Sequence, residues 1–250
     1  GSTVQQLHAP SAPGRADERC GIEAEVLVVE TLDELEQRGA AGEVLGKIVL
    51  MVEDWEGYGA TTTYRRSTWA TAAAHGALAA LIRSVGPYGL SNPHTGSAAN
   101  ASGTSIPIAA IAISDAHMLA RMAGRGAQVR VQLYMEARNF ADVTSRNVIG
   151  SLQGTSLPHE RVLLSGHIDS WDVGMGALDD GGGVFVSWQA LSVLKHLGLS
   201  SKRTIEAIGW TSEEMGGGSA AYWANSTRHQ DYSVVFESDN GVFDPRGVQF

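Results

Sequence analysis

Between Ser165 and Gly183 the chain reads Ser-Gly-His167-Ile-Asp169-Ser-Trp-Asp-Val-Gly-Met-Gly-Ala-Leu-Asp179-Asp180-Gly-Gly-Gly. Further on come Glu213-Glu214 and Asp239. Zinc takes imidazole nitrogen and carboxylate oxygen, and a catalytic zinc keeps one coordination position open. Two adjacent zinc ions need a ligand that spans both, and a carboxylate has the two oxygens for it. One imidazole with several carboxylates is therefore a donor set for a pair of zinc ions.

The acids must be brought together by the elements that carry them. Each group lies just past an apolar run: Arg161-Val-Leu-Leu-Ser165, Arg203-Thr-Ile-Glu-Ala-Ile-Gly-Trp210 and Tyr232-Ser-Val-Val-Phe236. Between the first two runs, residues 184–197 have the length and apolar spacing of a helix. Strand, helix, strand, helix, strand predicts a parallel sheet. Such sheets bind ligands outside the carboxyl ends of their strands, so His167, Glu213, Glu214 and Asp239 should converge on one rim. Taken singly, each motif has a plainer explanation. Asp-Asp-Gly-Gly-Gly suits a turn and a helix cap, and Glu213-Glu214 could open a helix and complement its dipole. Their agreement in order and position is what favours a metal site. The glycines 181–183 would let a helix start lie close to it.

The chain has 250 residues, enough for one large or two small domains, and 43% apolar content suffices for packed cores. A net charge of −9 argues against a nucleic-acid surface, which would be basic. No run reaches the ~20 apolar residues of a membrane span. The single cysteine, Cys20, cannot form an internal disulfide. Asn100-Ala-Ser102 and Asn225-Ser-Thr227 are acceptor triplets for N-glycosylation. Gly1-Ser2 resembles a cleavage scar, and a leader could have preceded it.

Residues 1–20, polar with Pro10 and Pro13, read as an extended lead-in. Strands are predicted over 24–29, 46–52, 77–82, 106–113 and 129–135. Helices are predicted over about 65–75 and over 114–124, the latter capped by Ser114. Residues 86–96 form a Gly/Pro-rich loop.

On His167-Ile-Asp169-Ser-Trp-Asp-Val-Gly, Gly-Ala-Leu-Asp179-Asp180-Gly-Gly-Gly, Trp210-Thr-Ser-Glu213-Glu214 and Glu237-Ser-Asp239, the chain resembles the co-catalytic dizinc aminopeptidase and carboxypeptidase family. The resemblance extends upstream through Gly76-Ala-Leu-Ala-Ala-Leu-Ile-Arg-Ser84 and Ser91-Asn-Pro-His-Thr-Gly96. It implies an α/β zinc-peptidase fold, a parallel-rich mixed sheet flanked by helices, with an inserted protease-associated α/β domain. Residues 21–137 would be the inserted domain, and 138–250 the N-terminal part of an incomplete peptidase domain. His167 and Asp239 would bind the first Zn2+, Glu214 the second, and Asp179 would bridge them, its own peptide bond to Asp180 often being cis in the family. Asp169 would hydrogen-bond the imidazole. Glu213 would be the general base that takes a proton from the attacking water and passes it to the leaving amine. The expected reaction is hydrolysis of dipeptides or short peptides, in a secreted or lysosomal protein that forms homodimers, with no nucleic-acid or membrane partner. The loop at 86–96 could help select substrate.

The family also supplies a downstream histidine for the second zinc, and this sequence stops at Phe250. His8, His75, His94, His117, His159, His196 and His229 are poor substitutes by position. His159 is placed in a turn, and His75 is read as a packed or helix-end residue. The second zinc is therefore expected to bind weakly and activity to be low. That expectation keeps an alternative open, a catalytically weak relative that acts as a binding or interaction protein. A third reading is glutaminyl cyclisation on a single zinc.

Overall fold

A computed structural model of the chain describes residues 5–6, 21–87, 89, 91–94, 96–98, 106–136, 141, 143–171, 173–225, 231–239, 241, 244 and 247. The chain divides into two compact units, residues 1–141 and 142–250. Apart from Gln5–Gln6, the predicted lead-in lies outside the described residues, as do Cys20 and Asn100.

The first unit runs β1 (Gln5–Gln6), β2 (Ile22–Val29), α1 (Leu32–Ala40), β3 (Ile48–Met51), α2 (Tyr58–Ala74), β4 (Ala79–Arg83), β5 (Ile108–Ile111), α3 (Ile113–Gly124) and β6 (Arg130–Leu133). Its sheet has the order β1-β5-β4-β3-β2-β6. The four central strands are parallel, and β1 and β6 are antiparallel at the edges. Every residue of β3, β4 and β5 is buried, as parallel strands covered on both faces should be. Alternation divides them between two cores. Val49 and Met51 pack with Leu35 of α1 and Tyr64 and Trp69 of α2. Ile48 and Leu50 pack with Ala116 and Leu119 of α3.

Three local expectations need correction. Helix α1 was not foreseen, although Thr31 caps it by accepting the Glu34 N–H at 3.0 Å, and Glu34 Oε2 accepts the N–H of Glu30, the residue before the cap, at 2.8 Å. Helix α2 starts at Tyr58 rather than Arg65, behind Gly57 in a left-handed conformation with no side-chain cap. Helix α3 is capped by Ala112, so Ser114 sits in its first turn instead of at its end. His75 caps the C-terminus of α2, with Nε2 3.1 Å from Glu36.

The second unit runs β7 (Val148–Leu152), β8 (Leu157–His167), α4 (Gly181–His196), β9 (Arg203–Trp210), α5 (Gly218–Asn225) and β10 (Tyr232–Glu237). Its sheet has the order β10-β8-β9-β7, with the first three strands parallel and β7 antiparallel. Strand β8 begins at Leu157, so His159 is a strand residue and not a turn residue. The glycines 181–183 form the first turn of α4 instead of preceding it. Leu163, Ile208 and Trp210 pack with Tyr222, Trp223 and Tyr232. Glu206, 2% exposed, pairs with Arg161 and accepts the Tyr232 hydroxyl at 2.5 Å. His167 stands opposite Trp210 and Ser165 opposite Glu237, which aligns the carboxyl ends of the parallel strands.

Candidate metal centre

His167 is the last residue of β8 and is 1% exposed. Its backbone N–H donates to Asp180 Oδ2 at 3.0 Å, and Asp180 Oδ1 accepts the Gly183 N–H at 3.1 Å. Asp180 is therefore both the N-cap of α4 and the bolt that joins this helix to the end of β8. The packing there is close. A Cβ on Gly166 would lie 2.4 Å from Asp180 Oδ2, and one on Gly183 would lie 1.7 Å from the Ser238 carbonyl oxygen. Only glycine permits this approach of helix start, strand end and the segment bearing Asp239. The Asp179–Asp180 peptide bond is cis.

The imidazole is oriented from its far side. Nδ1 donates to the Asp169 carbonyl at 2.9 Å; a carbonyl can only accept, so this contact leaves Nε2 bare in the neutral ring. Nε2 faces Asp179 Oδ1 at 3.0 Å, Asp239 Oδ1 at 3.4 Å and Glu213 Oε2 at 3.9 Å. The Asp169 carboxylate is 3.7 Å from Nδ1 and bonds elsewhere. Its Oδ1 accepts the Glu213 N–H at 2.9 Å and its Oδ2 the Glu214 N–H at 3.3 Å. The Trp171 indole donates to the Glu214 carboxylate.

The cluster carries more negative charge than it can hold alone. Burial works against a charged imidazole at His167, but the Asp169 carbonyl and the carboxylates of Asp239 and Asp179 outweigh it and raise the ring to about 9. Burial and the neighbouring Asp179 raise Asp239 to about 7. Burial also raises Glu214, with Asp179 adding to the effect, and raises Glu237, with Glu213 adding. Among the described residues no lysine or arginine pairs with Asp169, Asp179, Glu213, Glu214 or Asp239. The proton on His167 fills a place that a cation would fill better.

The donor atoms fit one. His167, Glu213 and Asp239 form one group, and His167, Asp179 and Glu214 another, with the donor atoms of each within 4.8 Å of one another. Imidazole with carboxylates is a zinc-type set. All six residues singled out from the sequence thus meet at one rim. The helix cap offered by Asp-Asp-Gly-Gly-Gly is Asp180, whose second bond, to the His167 N–H, was not foreseen. Sequence reasoning also missed the part played by Trp171, inside the His167 motif, and by Asn147, whose Oδ1 accepts the Thr211 N–H at 2.9 Å beside the glutamates.

Similarity to known proteins extends over both units. The model of Peptidase family M28 matches residues 147–250. Carboxypeptidase Q from Bos taurus is 48% identical over 233 residues, which covers 92% of this chain and 49% of that relative. The chain thus spans about half the length of the curated relatives it matches. A crystal structure of a Peptidase M28 precursor from Shewanella amazonensis superimposes with a TM-score of 0.87 at 32% identity, over 95% of this chain and 55% of that one. The Bacillus subtilis zinc aminopeptidase BSAP shares the fold, with a TM-score of 0.57 at 24% identity, over 95% of this chain and 58% of that one.

Proposed function

We propose that the His167 cluster is the zinc site of a metallo-exopeptidase of the carboxypeptidase or dipeptidase class, a reading supported by the match of residues 147–250 to the model of Peptidase family M28. Its substrates are dipeptides or short peptides. The observation that carries this reading is the Nε2 of His167 facing the carboxylates of Asp179, Asp239 and Glu213. When bound, zinc would lower the pKa of water and polarise the scissile carbonyl.

His167 and Asp239 would hold the first ion, Glu214 the second, and Asp179 would serve both. Both donor groups draw on the same imidazole, and one Nε2 can serve only one ion. Among the described residues, the second ion would then draw on the carboxylates of Asp179 and Glu214. Glu213 would act as general base, its backbone fixed by Asp169 while its carboxylate stays free to accept a proton from the attacking water and hand it to the leaving amine. Asp169 would set the tautomer of His167 through its main-chain carbonyl. Residues 21–137 would be the protease-associated domain; the donor groups found among the described residues all lie in the other unit. No helix among the described residues is long and apolar enough to cross a membrane. We place the protein outside the cytosol, secreted or lysosomal, with Asn225 exposed at the end of α5 as a glycan acceptor.

The test is Glu213→Gln. The variant should keep its zinc, measured by mass spectrometry on the folded protein, while hydrolysis of a short peptide falls by about 10²–10⁴. Turnover at the parent rate would remove Glu213 from the role of base.

A further inference from the structure

The loop 211–217 between β9 and α5 carries both glutamates of the centre, and its shape is not that of a relaxed turn. Ser212, which is not glycine, has φ 61°, in the left-handed region that side chains avoid. The Ser212 carbonyl accepts the Gly217 N–H at 2.7 Å, and the Glu213 carbonyl accepts the Gly216 N–H at 2.6 Å. The chain enters and leaves at almost one point, for a Cβ on Gly218 would lie 1.5 Å from the Thr211 carbonyl oxygen. Such a conformation persists only where surrounding contacts over-determine it.

Asn147 supplies those contacts at the neck of the loop. Its Oδ1 accepts the Thr211 N–H at 2.9 Å, and its Nδ2 donates to the Gly218 carbonyl at 3.4 Å. One side chain therefore spans the residues at the two ends of the loop. It is itself fixed by the sheet, because the next residue, Val148, pairs with Gly209 in the antiparallel β7–β9 ladder. Asp169 holds the crest of the same loop. We propose that Asn147 is a positioning residue for the reaction: its amide closes the neck of the glutamate loop and so fixes where the Glu213 carboxylate stands. The part about the reaction rests on Glu213 being the base; the part about the loop does not. The primary amide offers an acceptor and a donor on two separate atoms, one for each end of the loop; aspartate keeps the acceptor and loses the donor, and alanine has neither.

Three variants test it: Asn147→Ala, Asn147→Asp, and Ser145→Ala as a control that removes only the 2.8 Å hydroxyl contact with Thr211. Hydrogen exchange on the zinc-free chain should show residues 211–217 of Asn147→Ala exchanging about tenfold faster or more, with the β8 amides unchanged. With zinc, kcat on a dipeptide should fall about tenfold or more while KM stays within about twofold, because a displacement near 1 Å at a reacting group is enough for that. Asn147→Asp should restore part of both, and Ser145→Ala should match the parent. A merely structural Asn147 would lower thermal stability and leave exchange at 211–217 and kcat per folded molecule at parent values, and that result overturns the proposal. If Glu213→Gln turns over normally, the base assignment fails, while the exchange measurement still decides for or against the clamp.

Discussion

Asp169 and Glu213 are joined through the main chain: the aspartate carboxylate accepts the glutamate's own N–H at 2.9 Å, and that of Glu214 at 3.3 Å. One side chain thus supports the loop with its carboxylate while its backbone carbonyl orients the His167 ring. Replacing it by asparagine keeps one acceptor and turns an NH2 toward the second N–H. We expect Asp169→Asn to weaken zinc by about 10–100-fold, the usual cost of losing an outer partner of a metal site. Competition with a chromophoric chelator measures it, and parent affinity would show that the loop holds itself.

Asp180 should matter for stability more than for chemistry. It is 1% exposed and satisfies two backbone N–H groups, those of His167 and Gly183. Asp180→Ala strands both, at about 1–3 kcal/mol each. We expect about 2–4 kcal/mol of lost stability by denaturant titration, with Asp180→Asn falling between the two because it keeps one acceptor.

Gly183→Ala tests the close approach of α4 to the segment carrying Asp239. Its Cβ would meet the Ser238 carbonyl oxygen at 1.7 Å, and backbone cannot swing aside as a side chain can. The expected outcome is a loss of zinc affinity larger than that of Gly182→Ala in the same helical turn. Equal affinities would mean that the segment yields without moving its carboxylate.

The centre should bind zinc more tightly as pH rises. In the metal-free chain His167 is raised to about 9 and Asp239 to about 7, so zinc must displace protons from both. Affinity should climb about tenfold per pH unit between 7 and 9, where one proton leaves, and more steeply below 7, where two do. Stability of the metal-free chain should move the other way. The raised imidazole contributes fully below its ordinary 6.5 and loses that contribution as pH rises through about 9. The raised Asp239 costs stability as pH rises from its ordinary 3.8 through about 7. Thermal melts at pH 6, 7, 8 and 9, with and without zinc, check both signs.

The strands of the second unit were legible because their apolar runs are long and each ends in chemistry; β9 was read at its observed bounds, Arg203–Trp210. Strand β7 was not, since Val148–Leu152 is half-exposed and contains Gly150, so no clear period shows. Helix α2 lost its first turns to Thr61, Thr62 and Thr63, whose branched side chains argue against helix locally and are overruled by tertiary burial of Thr61, Thr62 and Tyr64. The six centre residues were readable from order and spacing. The way Asp169 divides its contacts was not, because which atom of a residue reaches which neighbour depends on the path of two loops distant in sequence.

The trio of buried Glu206 with half-buried Arg161 and Tyr232 has a bearing on the far rim of the sheet. Strand β10 is apolar on both faces across Val234, Val235 and Phe236, so alternation alone would hardly tell it where to lie along β8. The Tyr232 phenol, bound to a carboxylate that is already ion-paired, gives the strand a fixed zero mark. From that mark, past the register shift between Tyr232 and Val234, the chain is measured out to Asp239, and sliding one step along the ruler would offer Ser238 to His167 in its place.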